Sequence, residues 1–196
     1  MYTIEGLTSE NVTKTDAGEY ENKVNGTAKV LDAAGNDVTA QFKVTKKSGK
    51  LTIKKRQVTL TSSDAKKEYD GTALTKDEVQ VTSGSFADKE GYTATTSGSQ
   101  TLVGKSENTF TYTLNEGTKA ANYEIKTVKG TLEVTAVTDE HKHEAVVQAP
   151  SKSATYEGKA KSAGTELTGK TFQWKGQTYT IEGLTSENVT KTDAGE

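Results

Sequence analysis

Few residues in this 196-residue chain have side chains suited to covalent or metal chemistry. It contains no cysteine and two histidines, His141 and His143. On a strand, their spacing in HKHE would put both imidazoles on one face, as a zinc pair requires. The same residues read equally as a polar connection between modules, and the other junction, IKKRQV, has no histidine. With no cysteine, and both histidines in a connection, neither a Ser-His-Asp nor a Cys-His arrangement can be assembled. The expectation is a non-enzyme without a cofactor.

The remaining candidates are binding groups. Phe172 and Trp174 alternate, KGQ turns, and Tyr179 and Ile181 follow, which reads as a hairpin. Its aromatic face would be a sugar platform if exposed and plain core if buried. Tyr69-Asp70-Gly71 reads as a structural turn: Asp bonds the backbone two residues on, Gly supplies a positive φ, and Tyr packs beneath. Asp32, Asn36 and Asp37 in DAAGNDVT offer oxygens, yet lack the spacing and terminal Glu of a calcium loop. The Asn-X-Thr triplets at Asn11, Asn25 and Asn188 are expected in a Thr-rich chain and carry no weight.

Composition says what must position these groups. Threonine is the commonest residue, apolar residues make up 31%, and there is one proline. Thr with alternating Val, Tyr and Ile is strand composition, and no apolar stripe of helical period lasts eleven residues. Net charge is −2 with both signs interspersed, so no nucleic-acid surface is expected, and no run approaches the roughly 18 apolar residues of a membrane span.

The middle of the chain is easiest to parse. QVTLTS, EVQVTS, YTATT, NTFTYTL, NYEIKT and GTLEVT alternate at period two between Gly, Asn, Asp and Ser turns. The expected fold is all-β, with small Ig-like β-sandwich modules in tandem and β-grasp-like modules as the alternative. Alternation places Phe110, Tyr112, Leu114, Leu132 and Val134 inside, and Thr109, Thr111, Thr113 and Glu133 outside.

Eighteen residues, YTIEGLTSENVTKTDAGE, occur at 2–19 and again at 179–196 without one substitution. The parts around them follow the middle module. TYEG at 155–158 parallels EYDG at 68–71, and a second Tyr follows 23 residues after each first one. Ala145 falls beside Val58, TDAGEYEN parallels TLVGKSEN, and AQFKVTKKSGKLTIKK parallels ANYEIKTVKGTLEVTA. Four segments follow: 1–55, the C-terminal part of a split first-type module; 56–135, a complete module; 136–144, a linker; and 145–196, the N-terminal part of the next first-type module. The expectation is a fragment of a tandem array cut out of phase with its domains. The linker 136–143 reaches at most about 28 Å at full extension, so the segments 145–178 and 1–54 are expected to complete each other between neighbouring copies.

VTLTSSDAKKEYDGTALTKDEVQVTSGSF, NTFTYTLNEGTKAANYEI and GTLEVT resemble the YDG-type and MBG-type tandem repeat domains of bacterial cell-surface adhesins of gut Firmicutes. The likeness covers nearly all of 57–135; the split module is looser, with Tyr156-Glu157-Gly158 in place of Tyr-Asp-Gly. The resemblance implies an extracellular, non-catalytic, array-forming domain, attached to the cell wall through parts outside this sequence. It supplies no ligand. Two functions are open at this point: a stalk or spacer repeat assembling head to tail by strand complementation, and an adhesive module binding host glycan or mucin through Phe172, Trp174 and Tyr179. Surface sandwiches without cysteine sometimes lock themselves with a Lys–Asn bond, for which Asn122 with Lys66 or Lys67 are candidates.

Overall fold

The computed structural model describes residues 1–193; the end of the second copy of the duplicated stretch, 194–196, lies outside the described residues. The chain is all-β, and each helical segment among the described residues is a three-residue 3-10 turn. In chain order the first strands are β1 (Thr3–Ser9), β2 (Gly18–Asn22), β3 (Val24–Leu31), β4 (Gly49–Ile53), β5 (Arg56–Ser62) and β6 (Ala65–Glu68). Then come β7 (Val79–Gly84), β8 (Tyr92–Thr96), β9 (Gly104–Asn108), β10 (Phe110–Leu114), β11 (Tyr123–Val128) and β12 (Gly130–Thr135). The last are β13 (Lys161–Ser162), β14 (Thr171–Trp174), β15 (Gln177–Thr180) and β16 (Thr190–Lys191).

Two compact units divide these strands: one holds 1–64, 76–98 and 107–131, the other 65–75, 99–106 and the residues from 132 onward. The division runs through 56–135.

In the first unit β5 is central, parallel to β11 and antiparallel to β7. Its alternation turns Val58, Leu60 and Ser62 inward, each no more than 2% exposed. Val58 and Leu60 form a core with Tyr123, flanked by Val79, Val81, Phe86, Tyr92, Phe110, Tyr112 and Ile125. The Tyr123 hydroxyl accepts from Ala87 N at 2.9 Å and donates to Glu90. Burial, and then that bond to Glu90, hold its pKa above the usual phenol value. In the second unit β12 lies beside β6, and Leu132 and Val134 are buried.

The predicted alternation is seen in part. Leu132 and Val134 are inside and Thr111 and Thr113 exposed, whereas Phe110, Tyr112 and Leu114 are half-buried. Thr109 and Glu133, expected outside, are half-buried as well. Thr109 is drawn in by hydrogen bonds to Ser97, and Glu133 lies between Lys66 and Lys105 at 3.6 and 3.7 Å.

The internal parallels extend to pairing. β1 pairs antiparallel with β3 as β8 does with β10, and β2 pairs with β4 where β9 neighbours β12. The bridge Leu74–Gln100 has its counterpart in Lys161–Lys191. A 3-10 turn at Thr39–Gln41 precedes Phe42 as one at Ala120–Asn122 precedes Tyr123. Directly after that turn the likeness breaks, since Tyr123 opens β11 whereas 42–48 forms no strand, and it resumes at β4, the counterpart of β12.

The duplicated stretch also differs between its copies. Residues 4–9 belong to β1, whereas 181–186, with the same sequence, form no strand. Gly6 and Gly183 keep the same left-handed backbone, at φ +75° and +80°. At Gly6 a Cβ would come within 2.4 Å of the Thr27 carbonyl oxygen, while at Gly183 nothing lies within 4 Å. The backbone kink is local; the strand requires β3 beside it.

Candidate functional site

The second unit brings three separately predicted features to one place. β14 and β15 form the expected hairpin, with Lys175 at φ +47° and Gly176 at φ +78° making its two-residue turn. Phe172 stands opposite Tyr179, their rings stacked at 5.6 Å between centroids. Trp174, two residues along the same face, lies 5.9 Å from Tyr179. Against this face sits Tyr69, 6.0 Å from Trp174, with its hydroxyl 3.2 Å from that of Tyr179. The His143 ring also packs against Trp174, 4.7 Å between centroids and tilted by 49°. All five side chains are drawn from three stretches of sequence far apart in the chain.

The Tyr69-Asp70-Gly71 turn is built to meet that face. Asp70 Oδ1 accepts from the Thr72 backbone N–H at 3.0 Å, the Thr72 hydroxyl at 2.7 Å and Lys67 Nζ at 2.7 Å. Lys67 and then Thr72 hold the Asp70 carboxyl far below the ordinary aspartate range. Gly71 has φ +78°, and a Cβ there would reach Tyr179 Oη at 3.2 Å and the Trp174 ring at 3.4 Å. Glycine is thus needed both for the backbone conformation and for the approach of the aromatic rings. Lys175 adds a cation 5.4 Å from the Trp174 centroid and 3.9 Å from Asp70 Oδ2.

Phe172, Trp174 and Tyr179 are half-buried, with Tyr179 between the other two rings and Trp174 also meeting Tyr69 and His143. A sugar platform needs a free ring face; Trp174 has ring neighbours in Tyr69, His143 and Tyr179, and Phe172 has one in Tyr179. The Tyr179 phenol is held above its usual pKa by the bond to Tyr69 and then by burial. It therefore stays protonated near neutral pH and offers no base.

The two histidines have separate partners. Asp139–His141 is a 3-10 turn rather than a strand, so the alternation that would align His141 with His143 does not apply. His141 Nδ1 lies 2.6 Å from Glu68 Oε2, and the His143 ring packs tilted against Trp174. Among the described residues no group of three or more His, Cys, Asp or Glu is arranged to hold a metal ion. The DAAGNDVT oxygens are turned to their own backbone: Asp32 Oδ1 accepts from Ala34 N and Asn36 N at 2.9 Å each, and Asp37 Oδ1 from Thr39 N at 3.0 Å.

A clasp that the sequence reading missed lies in the first unit. Asp16 accepts from Lys119 Nζ at 2.9 Å and Asn122 Nδ2 at 2.9 Å, while Asn122 Oδ1 accepts from Ala17 N at 2.8 Å. The Asn122 bond, then Lys119, lower the Asp16 pKa, and Asp16 raises that of Lys119. This accounts for Asn122, whose expected partners were Lys66 or Lys67. Lys67 is instead bound to Asp70 and Thr72, and Lys66 faces Glu133. Lys119 beside Asn122 is not poised for amide formation either, because the ionised Asp16 keeps it an ammonium, without the lone pair a nucleophile needs. The partners of this clasp are 106 positions apart, and no local motif announces the pairing.

No family model matches the chain, and no curated protein or solved structure matches it significantly.

Proposed function

We propose that this chain is a structural stalk or spacer repeat of an exported bacterial fibre, built from small Ig-like sandwich modules of the YDG/MBG kind. The carrying observation is the pair of side-chain clasps. Each ties residues of a first-type segment to residues of 56–135: Asp16 to Lys119 and Asn122 in one unit, Trp174 and Tyr179 to Tyr69 in the other. Stacked repeats that fasten to their neighbours through fixed contacts form quasi-one-dimensional rods. On this reading the Tyr-Asp-Gly turn is a joint rather than a ligand site, and the hairpin's aromatic rings are its counterpart.

Outside the cell such a rod would hold a distal binding head away from the wall. Its partners would be neighbouring copies of the same repeat, with 145–178 and 1–54 completing one module end to end. Solution X-ray scattering of polypeptides carrying one, two and three 177-residue repeats tests the reading. A rod lengthens by a constant increment per repeat; growth with the square root of repeat number would mark a flexible string and overturn it. A glycan array run beside it, with Trp174→Ala as control, covers the adhesive alternative. Saturable binding lost in the variant would replace the spacer reading.

A further inference from the structure

Gly49 has no steric need to be glycine in its own surroundings: a Cβ there would meet nothing nearer than Asn22 Cβ, at 3.8 Å. Its counterpart Gly130 does. A Cβ at Gly130 would lie 2.4 Å from the Ser62 carbonyl oxygen and 2.7 Å from that of Ser63, because the end of β5 passes against it. Asn108 repeats the contrast. It is fully buried and donates from Nδ2 to Ser63 O at 2.9 Å. Its counterpart Asn22 is half-buried and donates to Ser9 Oγ at 2.8 Å. The third contrast is β11 itself, a strand lying parallel beside β5, while the matching residues 42–47 form no strand and Phe42 is 42% exposed. All three differences trace to one neighbour, a strand in the place of β5.

The chain carries a sequence fit for that place. Residues 143–158 align with 56–71 without a gap, so Ala145, Val147 and Ala149 fall where β5 turns Val58, Leu60 and Ser62 inward. Residues 143–147 form no strand, Gln148 makes a single bridge to Thr168, and Val146 is 66% exposed. We infer that residues 143–150 of a second copy of this chain dock as a parallel strand, 143–148 lying beside residues 42–47, in the register that joins β5 to β11. That register sets Tyr123 opposite Arg56, Glu124 opposite Gln57 and Ile125 opposite Val58. Transferred, it sets Phe42 opposite His143, Lys43 opposite Glu144, Val44 opposite Ala145 and Thr45 opposite Val146. Lys43 and Glu144 are opposite charges at the places where Gln57 and Glu124 share a hydrogen bond. The strand end runs over Gly49, and Asn22 turns its amide to the Pro150 carbonyl as Asn108 does to Ser63. The contact is heterologous, so repetition extends a fibre rather than closing a dimer. This rests on the end-to-end assembly proposed above and adds its slot and register.

The absence of cysteine makes the register readable by disulfide trapping. Directly opposed strand residues lie about 4.8 Å apart, within the Cα separation a disulfide spans. Full-length Thr45→Cys and Val146→Cys chains are mixed under mild oxidation and the linked peptides identified by mass. The expected result is a mixed disulfide between copies, lost when Val147→Cys replaces Val146→Cys, since that side chain faces the other way. It is also lost when Gly49→Val is added to the Thr45→Cys chain, whose circular dichroism should be unchanged. Equal yield from Val147→Cys, or no mixed product at high concentration, would overturn the proposal. So would a Thr45→Cys/Val146→Cys chain that links only within itself at every dilution. The scattering test uses covalently joined repeats, so a flexible string there and a failed register here are separate outcomes.

Discussion

Replacing Leu132 with alanine probes the face assignment on which β12 depends. Leu132 is 0% exposed and shares its side of the strand with Val134, 1% exposed. Full burial of a leucine side chain contributes about 1.5–3 kcal/mol. Truncation also leaves a cavity that neighbours fill only in part, which brings the expected loss to about 2–5 kcal/mol. Leu102, 69% exposed, provides the control; Leu102→Ala should stay within about 0.5 kcal/mol, as surface changes do. Domains of this kind have a margin of about 5–15 kcal/mol, so Leu132→Ala removes a large share of it. In urea, with a slope of about 1–3 kcal/mol per molar, the midpoint should fall by about 0.7 M or more at unchanged slope. A loss under about 0.5 kcal/mol, or an equal loss from Leu102→Ala, would mean that Leu132 does not anchor a packed face.

The two counterpart glycines should respond oppositely: Gly130→Ala lowers the melting temperature, since its Cβ would sit 2.4 Å from a backbone oxygen, whereas Gly49→Ala leaves the monomer's melt in place. Equal effects would break the internal alignment. Gly71→Val should push the neighbouring rings apart and shift the emission of Trp174, the chain's single tryptophan, to the red; an unchanged spectrum would refute the packing at the turn. Asp16 and Asp70 both have depressed folded-state pKa values, the first through Asn122 and then Lys119, the second through Lys67 and then Thr72. Their stabilisation is therefore complete above about pH 4, the ordinary aspartate value, and fades as pH falls through the lower folded values. Carboxyl-carbon NMR titration should place both below a free aspartate, and a midpoint at or above it would exclude the clasps. Excised 57–135 should melt cooperatively by circular dichroism and excised 1–54 should not; a cooperative melt of 1–54 would show that it lacks no strand.

Alternation and turn chemistry were readable because they are local. QVTLTS turns Val58 and Leu60 to one side wherever it packs, and KGQ between Trp174 and Tyr179 makes a tight turn whatever surrounds it. The parallel pairings of β5 with β11 and β6 with β12 join residues some 67 positions apart, and nothing local in either strand names its partner. AQFKVT and ANYEIK are alike in sequence, yet only the second forms a strand, because only it lies beside β5. The histidine pair failed for a related reason, since face-sharing at i and i+2 presumes a strand, and Thr138-Asp139-Glu140 starts a turn instead. Asp16 looked like one acidic residue among many because its clasp is completed by a loop more than a hundred residues away.

The identical stretches Ile4–Ser9 and Ile181–Ser186 have the same intrinsic propensity, the same side-chain entropy and the same intrinsic amide exchange chemistry. One is a strand and the other is not. For each matched pair of amides, such as Leu7 and Leu184, the ratio of exchange rates therefore cancels every local contribution and leaves the free energy supplied by neighbours alone. Most proteins need a model peptide as the reference for that quantity. Here the reference is carried in the same molecule, at the same temperature, pH and ionic strength, and read in the same experiment.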